Sequence, residues 1–227
     1  MELENRILFE DNHLIVINKK AGELVQGDKT GDQTLTDIIK NYIKEKYNKR
    51  NAVYLGLVHR LDRPTSGAIV FTKTSKALSR LNDQFKSRET KKIYWAIVNE
   101  NFPYDHGSLK NWMTRNNKQN KSKAHRNEVP NSKIAHLSFK RIYELDHYCV
   151  LEIKLKTGRH HQIRAQLSEI GFPIQGDLKY GAKRSNKDGS ISLHARKLTI
   201  IHPVTKEILC FTADPIRVGI WKSVLFD

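Results

Sequence analysis

Cysteine is nearly missing. The 227-residue chain has two, Cys149 and Cys210, each set in an apolar stretch (YCVLEI and ILCFTA). Two such residues cannot build the dense disulfide framework of a small secreted domain. No CxxC pair occurs, so the 10 histidines lack the thiolate partners of a structural zinc site, and no metal is expected. No apolar run reaches the length of a membrane span. The opening, MELENRILFEDNHLIVINK, has neither the basic start nor the long apolar core of a secretion signal. A reducing, cytoplasmic compartment and no membrane partner are the expectation. Acidic residues are scarce too: 24 Asp and Glu face 40 Lys and Arg, a formal charge of +16. Solubility alone does not require so large a surplus, which draws polyanions.

What is present reads as one α+β domain over residues 1–227, built on a largely antiparallel sheet flanked by helices. ILFEDNHLIVIN, 7 to 18, gives two short strands about an Asp11-Asn12 turn. Thr34 and Asp37 form a capping box ahead of Leu35, Ile38, Ile39 and Tyr42 at helical spacing. AIVFT, 68 to 72, suits a buried strand. Thr74 or Ser75 then caps a helix with Leu78, Leu81 and Phe85 on one face. KKIYWAIVN, 91 to 99, is a strand. AHLSFKRIYEL and YCVLEIKLK alternate polar and apolar residues, as half-buried antiparallel strands do. A helix is expected from about His160, with Ile163, Leu167 and Ile170 inward and Gly171 as its stop. Two strands close the chain, at 191–201 and 207–213. Residues 110–133 carry seven Lys or Arg and one Glu and few apolar anchors. They read as an exposed insertion, equally a solvated loop or a phosphate-contacting arm.

The segment LVHRLDRPTSGAIVFTKTSKAL sets one carboxylate, Asp62, among His59, Arg60 and Arg63, just before an apolar strand. An arbitrary Asp beside arginines is usually a surface ion pair of little energetic worth. Here the cluster stands on a loop running into a buried strand, and Thr65, Ser66 and Gly67 leave room for a large partner. A second basic group, LKTGRHHQIRAQL at 155–167, also stands where strand gives way to helix. From the helix edge Arg164 could pair with a carboxylate and keep it ionised.

These motifs resemble the RluA-type pseudouridine synthases. HRLDRPTSG is similar to the family signature, KKIYWAIV to the strand bearing its active-site tyrosine, and LKTGRHHQIRAQL to the motif around its partner arginine. GDLKYG, 176–181, resembles a further signature, and ILFEDNHLIVINKKAGELV the first strands, which usually end in lysine, proline and glycine. Ala21 stands where that proline is usual. Gln166 stands where a histidine is usual. Both read as changes of packing or helix surface. The N-terminal S4 domain of many relatives is not expected here.

The resemblance implies isomerisation of uridine in ribosomal or transfer RNA to pseudouridine, by a monomer without metal or cofactor. Asp62 would be the catalytic carboxylate, Arg164 its partner and Tyr94 the aromatic against the uracil. His59, Arg60, Arg63, Thr65, Arg159 and Ile163 would bind the RNA, with Arg60 or His59 filling the gap left by the extruded base. Surplus cations, those of 110–133 included, would hold the backbone without reading sequence. A non-catalytic RNA-binding or ribosome-assembly factor is the main rival. A nucleic-acid hydrolase using Asp62 and the histidines is the second, and it would usually want two or more clustered carboxylates for metal ions.

Overall fold

The computed structural model describes residues 3–27 and 31–224. In chain order the elements are β1 Ile7–Glu10, β2 Leu14–Lys19, α1 Leu35–Lys46, β3 Gly56–Leu57, β4 Ser66–Thr72, α2 Ser75–Ser87, β5 Lys91–Asn99, β6 His106–Asn116, β7 Lys121–His125, β8 Lys133–Leu145, β9 Tyr148–Leu155, α3 Gln162–Glu169, β10 Leu193–Ile201 and β11 Ile208–Thr212. The chain resolves into two compact units, Met1–Lys91 with Ala195–Pro215, and Lys92–His194 with Ile216–Asp227. The class is α+β, and the strand pairs β1–β2, β2–β4, β3–β4 and β10–β11 are antiparallel, as are β5–β9, β8–β9, β6–β8 and β6–β7. No helix of the described residues is long and apolar enough to cross a membrane.

In the first unit β2 runs beside β4 with Lys19 opposite Gly67. Both strands are apolar and almost wholly buried, as continuous Ile and Val runs require. Leu14, Val16, Ala68, Val70, Leu81, Leu198, Ile200 and Phe211 form one core cluster. The capping box is present: the Asp37 backbone N–H bonds the Thr34 hydroxyl, and the Thr34 backbone N–H the Asp37 carboxylate. Thr74 caps α2 through the Ala77 N–H. On α2, buried Gln84 exchanges two hydrogen bonds with the backbone of Ile201. At Gly67 φ is +116°, and a β-carbon would lie 2.4 Å from the carbonyl oxygen of Ala195, so only glycine fits.

In the second unit the strand order is β5-β9-β8-β6-β7. Its main cluster joins Ala96, Val98, Leu137, Leu151, Ile153, Ile163 and Leu167 around Phe102. The 110–133 stretch is not an unstructured loop over most of its length. It completes β6, turns at 117–120 and returns as β7. Its inward positions, Asn111, Met113, Ser122 and Ala124, are mostly small or polar, which conceals the period-two pattern. Met113 and Ala124 pack with Ala135, Ala165 and Tyr180. The third helix opens at Gln162, later than its spacing suggests, because His161 has a left-handed backbone, φ 52°. Gln166 is not on the helix surface: it is fully buried and donates to Leu109 O at 3.1 Å and Asn111 Oδ1 at 2.7 Å.

Candidate active site

Asp62 stands at the start of a tight turn, closed by the Thr65 N–H on the Asp62 carbonyl at 3.0 Å. Arg63 and Pro64 fill its corners, and β4 begins directly after it. What fixes this turn lies beneath it. Lys19, at the end of β2, is 1% exposed. Its Nζ donates to four carbonyl oxygens: Lys20 at 3.0 Å, Asp62 at 3.3 Å, Arg63 at 3.1 Å and Thr65 at 2.7 Å. Burial strips water from the ammonium and lowers its pKa to about 8, against the opposing pull of Glu23 and Asp62. The neighbouring loop is tied to the same turn. The Gly22 N–H donates to Arg63 O at 2.7 Å. Arg63 returns a bond to Gly22 O at 3.1 Å and pairs with Asp32 at 2.9 Å.

The other residues singled out on this turn have distinct surroundings. His59 accepts the Val70 N–H at 3.2 Å and stacks on Phe85, ring centroids 4.9 Å apart. Arg60 is exposed. Thr65 is 2% exposed, and its buried hydroxyl has no hydrogen-bond partner among the described residues. So one six-residue stretch presents a half-buried carboxylate and an outward guanidinium on a backbone clamped from below.

The second unit holds Tyr94 and the head of α3. Tyr94 lies on β5 opposite Ile153, half-buried against the main apolar cluster. Ile163 belongs to that cluster and is 4% exposed, so the structure places it in the apolar core. Arg159 donates from Nε to Ile134 O at 2.9 Å, and its N–H reaches Gln162 Oε1 at 3.0 Å. Arg164 is buried. Within its unit it is gripped by Asp177, Nε to Oδ2 at 2.6 Å and Nη2 to Oδ1 at 2.9 Å. Its guanidinium also lies 4.9 Å from the ring centroid of Tyr180. This two-point pairing fixes the guanidinium plane as a single contact would not.

Sequence reasoning missed three of these residues. Lys19 reads as the first residue of a polar loop, yet its place just after the apolar run LIVIN was the available signal. Asp177 and Tyr180 both sit in the GDLKYG motif, whose residues the sequence gives no reason to rank. Among the described residues no group of three or more His, Cys, Asp or Glu could hold a metal ion.

Comparison with known proteins follows the same lines. The family profile described as RNA pseudouridylate synthase matches residues 13–169. The chain is 36% identical over 198 residues to ribosomal large subunit pseudouridine synthase D of Borreliella burgdorferi, covering 86% of this chain and 60% of that protein. It is 31% identical over 225 residues to tRNA pseudouridine synthase C of Yersinia pestis, covering 91% and 85%. The solved structure of human RNA pseudouridylate synthase domain containing 4 superposes with a TM-score of 0.78 at 25% identity, covering 95% of this chain and 90% of that one. The chain spans less than two thirds of the Borreliella relative.

Proposed function

Since the chain belongs to the RNA pseudouridylate synthase family, we propose that it isomerises uridine in structured ribosomal or transfer RNA to pseudouridine, with Asp62 as catalytic carboxylate. In this reaction the N1–C1′ bond breaks, the uracil turns and C5 bonds to C1′. The C5 proton leaves and N1 gains one, so nothing is oxidised or reduced and no redox cofactor is called for.

The observation that carries the reading is the clamp on the turn. A buried ammonium is costly, and here it grips the backbone carbonyls of Asp62, Arg63 and Thr65, the turn that opens on a single carboxylate. Rigid placement of one reactive group is what such a device supplies. On this reading Asp62 attacks or deprotonates at the sugar, and Arg164, held in plane by Asp177, is the cation that keeps it ionised. Tyr94 packs on the uracil and assists loss of the C5 proton. The target base must first leave its stack, at a cost of a few kcal/mol. Arg60, exposed beside Asp62, takes the vacated place; His59 is held on Phe85 and suits that role less well.

The test is tritium release from RNA carrying 5-³H-uridine, with wild type and Asp62→Asn. The C5 hydrogen is lost only when the base is rejoined through carbon. Release by the wild type alone supports the reading. Tight, salt-dependent RNA binding with no release from ribosomal or transfer RNA would move the assignment to a non-catalytic RNA-binding factor.

A further inference from the structure

The β6–β7 hairpin has no part in the chemistry above, yet it is bonded to the residues around Arg164. From His106 to Asn127 the sequence has six Lys or Arg and no carboxylate. Arg115, Lys118, Lys121 and Lys123 are exposed on it. Between the hairpin and α3 lies an open cleft of about 510 Å³, lined by Thr114, Asn116, Lys121, Lys123, Ser168 and Tyr180. Glu169 also lines it and faces Arg126 at 4.0 Å.

Tyr180 joins this cleft to the arginine. It is 5% exposed, and its hydroxyl accepts the Ser122 N–H at 2.8 Å and bonds His161 Nδ1 at 2.9 Å. Its ring carries two cations, Lys121 at 5.3 Å and Arg164 at 4.9 Å from the centroid. His160 bonds Ser122 Oγ at 2.8 Å and Asn120 Oδ1 at 3.1 Å, and its ring stacks on His161 at 3.8 Å. His161 has its left-handed backbone three residues before Arg164. A non-glycine residue keeps that conformation only where its neighbours hold it, and His161 is held by Tyr180 and stacked on His160, which is itself bonded to the hairpin.

We propose that this cleft takes the sugar–phosphate backbone of the RNA strand flanking the target uridine, and that Tyr180 is the positioning residue through which the hairpin fixes Arg164. The inference rests on the RNA-modifying reading above. Lys121 and Lys123 meet phosphates; Ser168, Thr114 and Asn116 offer hydroxyl and amide partners for ribose and phosphate oxygens. The one ring in the cleft already carries two cations, so it gives a base no free platform, and the backbone is the part that fits.

The experiment pairs RNA binding with single-turnover tritium release on the full chain. Lys121→Ala with Lys123→Ala raises Kd about tenfold and flattens the dependence of log K on log salt by about 1 to 2. An equally exposed pair outside the cleft, Lys49→Ala with Arg50→Ala, changes Kd twofold or less. Tyr180→Phe keeps the ring and lowers kcat about tenfold with little change in KM, at a temperature well below its Tm. If the two pairs weaken binding equally, the cleft is not the docking site. If Tyr180→Phe loses thermal stability but keeps its kcat, Tyr180 is structural only and the positioning role falls. A wild type that releases no tritium sinks the enzymatic reading and the positioning role together, while the binding measurements still decide the cleft.

Discussion

The ammonium of Lys19 lies 2.7 Å from the carbonyl oxygen of Thr65 and 3.3 Å from that of Asp62, so one buried cation spans both ends of the turn that carries the Asp62 carboxylate. The cost of desolvating that ammonium is set against four carbonyl contacts that water would otherwise make.

Lys19→Met removes the donor and takes from the Lys20 and Thr65 carbonyls the ammonium they accept, while those of Asp62 and Arg63 keep their backbone N–H partners, so stability at pH 7.5 falls by about 2 kcal/mol. The pH dependence is more telling. The folded pKa, about 8, lies below the ordinary value of 10.5. Between those values the unfolded chain holds the proton that the folded chain has released. Stability therefore rises with pH across this window, by about 2 kcal/mol from pH 7.5 to 9.5. Urea denaturation at both values should show the wild type gaining on Lys19→Met. A constant gap would mean that Lys19 keeps its proton throughout.

Asp177→Asn takes from the buried guanidinium of Arg164, 5% exposed, the carboxylate that grips it at 2.6 Å. The expected loss is about 3–5 kcal/mol, read as a fall in Tm. Replacing both partners, Arg164→Met with Asp177→Leu, should recover much of that stability and none of the tritium release.

Gly67→Ala places a β-carbon against the Ala195 backbone, at a φ that alanine rarely adopts. Loss of more than about 3 kcal/mol is expected, because backbone cannot yield as a flexible side chain does. Soluble protein of wild-type Tm would contradict the close approach.

Glu10 answers to acid. Burial alone would raise its carboxyl, but Lys46, Lys73, Tyr47 and Tyr42 overcome this and hold it at about 2. A folded pKa below the ordinary 4.5 means the stabilisation is full above pH 4.5 and is lost as pH falls toward 2. From pH 6 to pH 3 the wild type should lose about 1–2 kcal/mol more than Glu10→Gln, measured by urea denaturation.

Arg60→Ala should leave Tm within about 1 °C, since exposed substitutions away from packed features change stability little. Tritium release should fall at least about tenfold on structured RNA and less on unstructured RNA, where the base need not be pulled from a stack. An equal loss on both would point to simple phosphate binding.

Local rules made most of the fold legible. The Thr34–Asp37 box, the Thr74 cap and the alternation of β8 and β9 rest on neighbours a few residues apart, and the structure has all of them. The hairpin was hidden because its buried side is built from Asn111, Ser122 and Ala124, residues that look like loop. They are small because α3 lies close against β7, a fact of packing and not of composition.

For the candidate site the division is similar. The sequence by itself determined the chemistry on offer: one carboxylate among cations at the mouth of a strand, a tyrosine in a strand, an arginine at the head of a helix. Only the tertiary structure decided what holds each in place. Lys19 lies 43 residues from Asp62 along the chain. Asp177 is 13 residues beyond Arg164, across the end of α3. A buried charge takes its partners from whatever the fold brings within 3 Å, and no periodicity in the sequence encodes that choice.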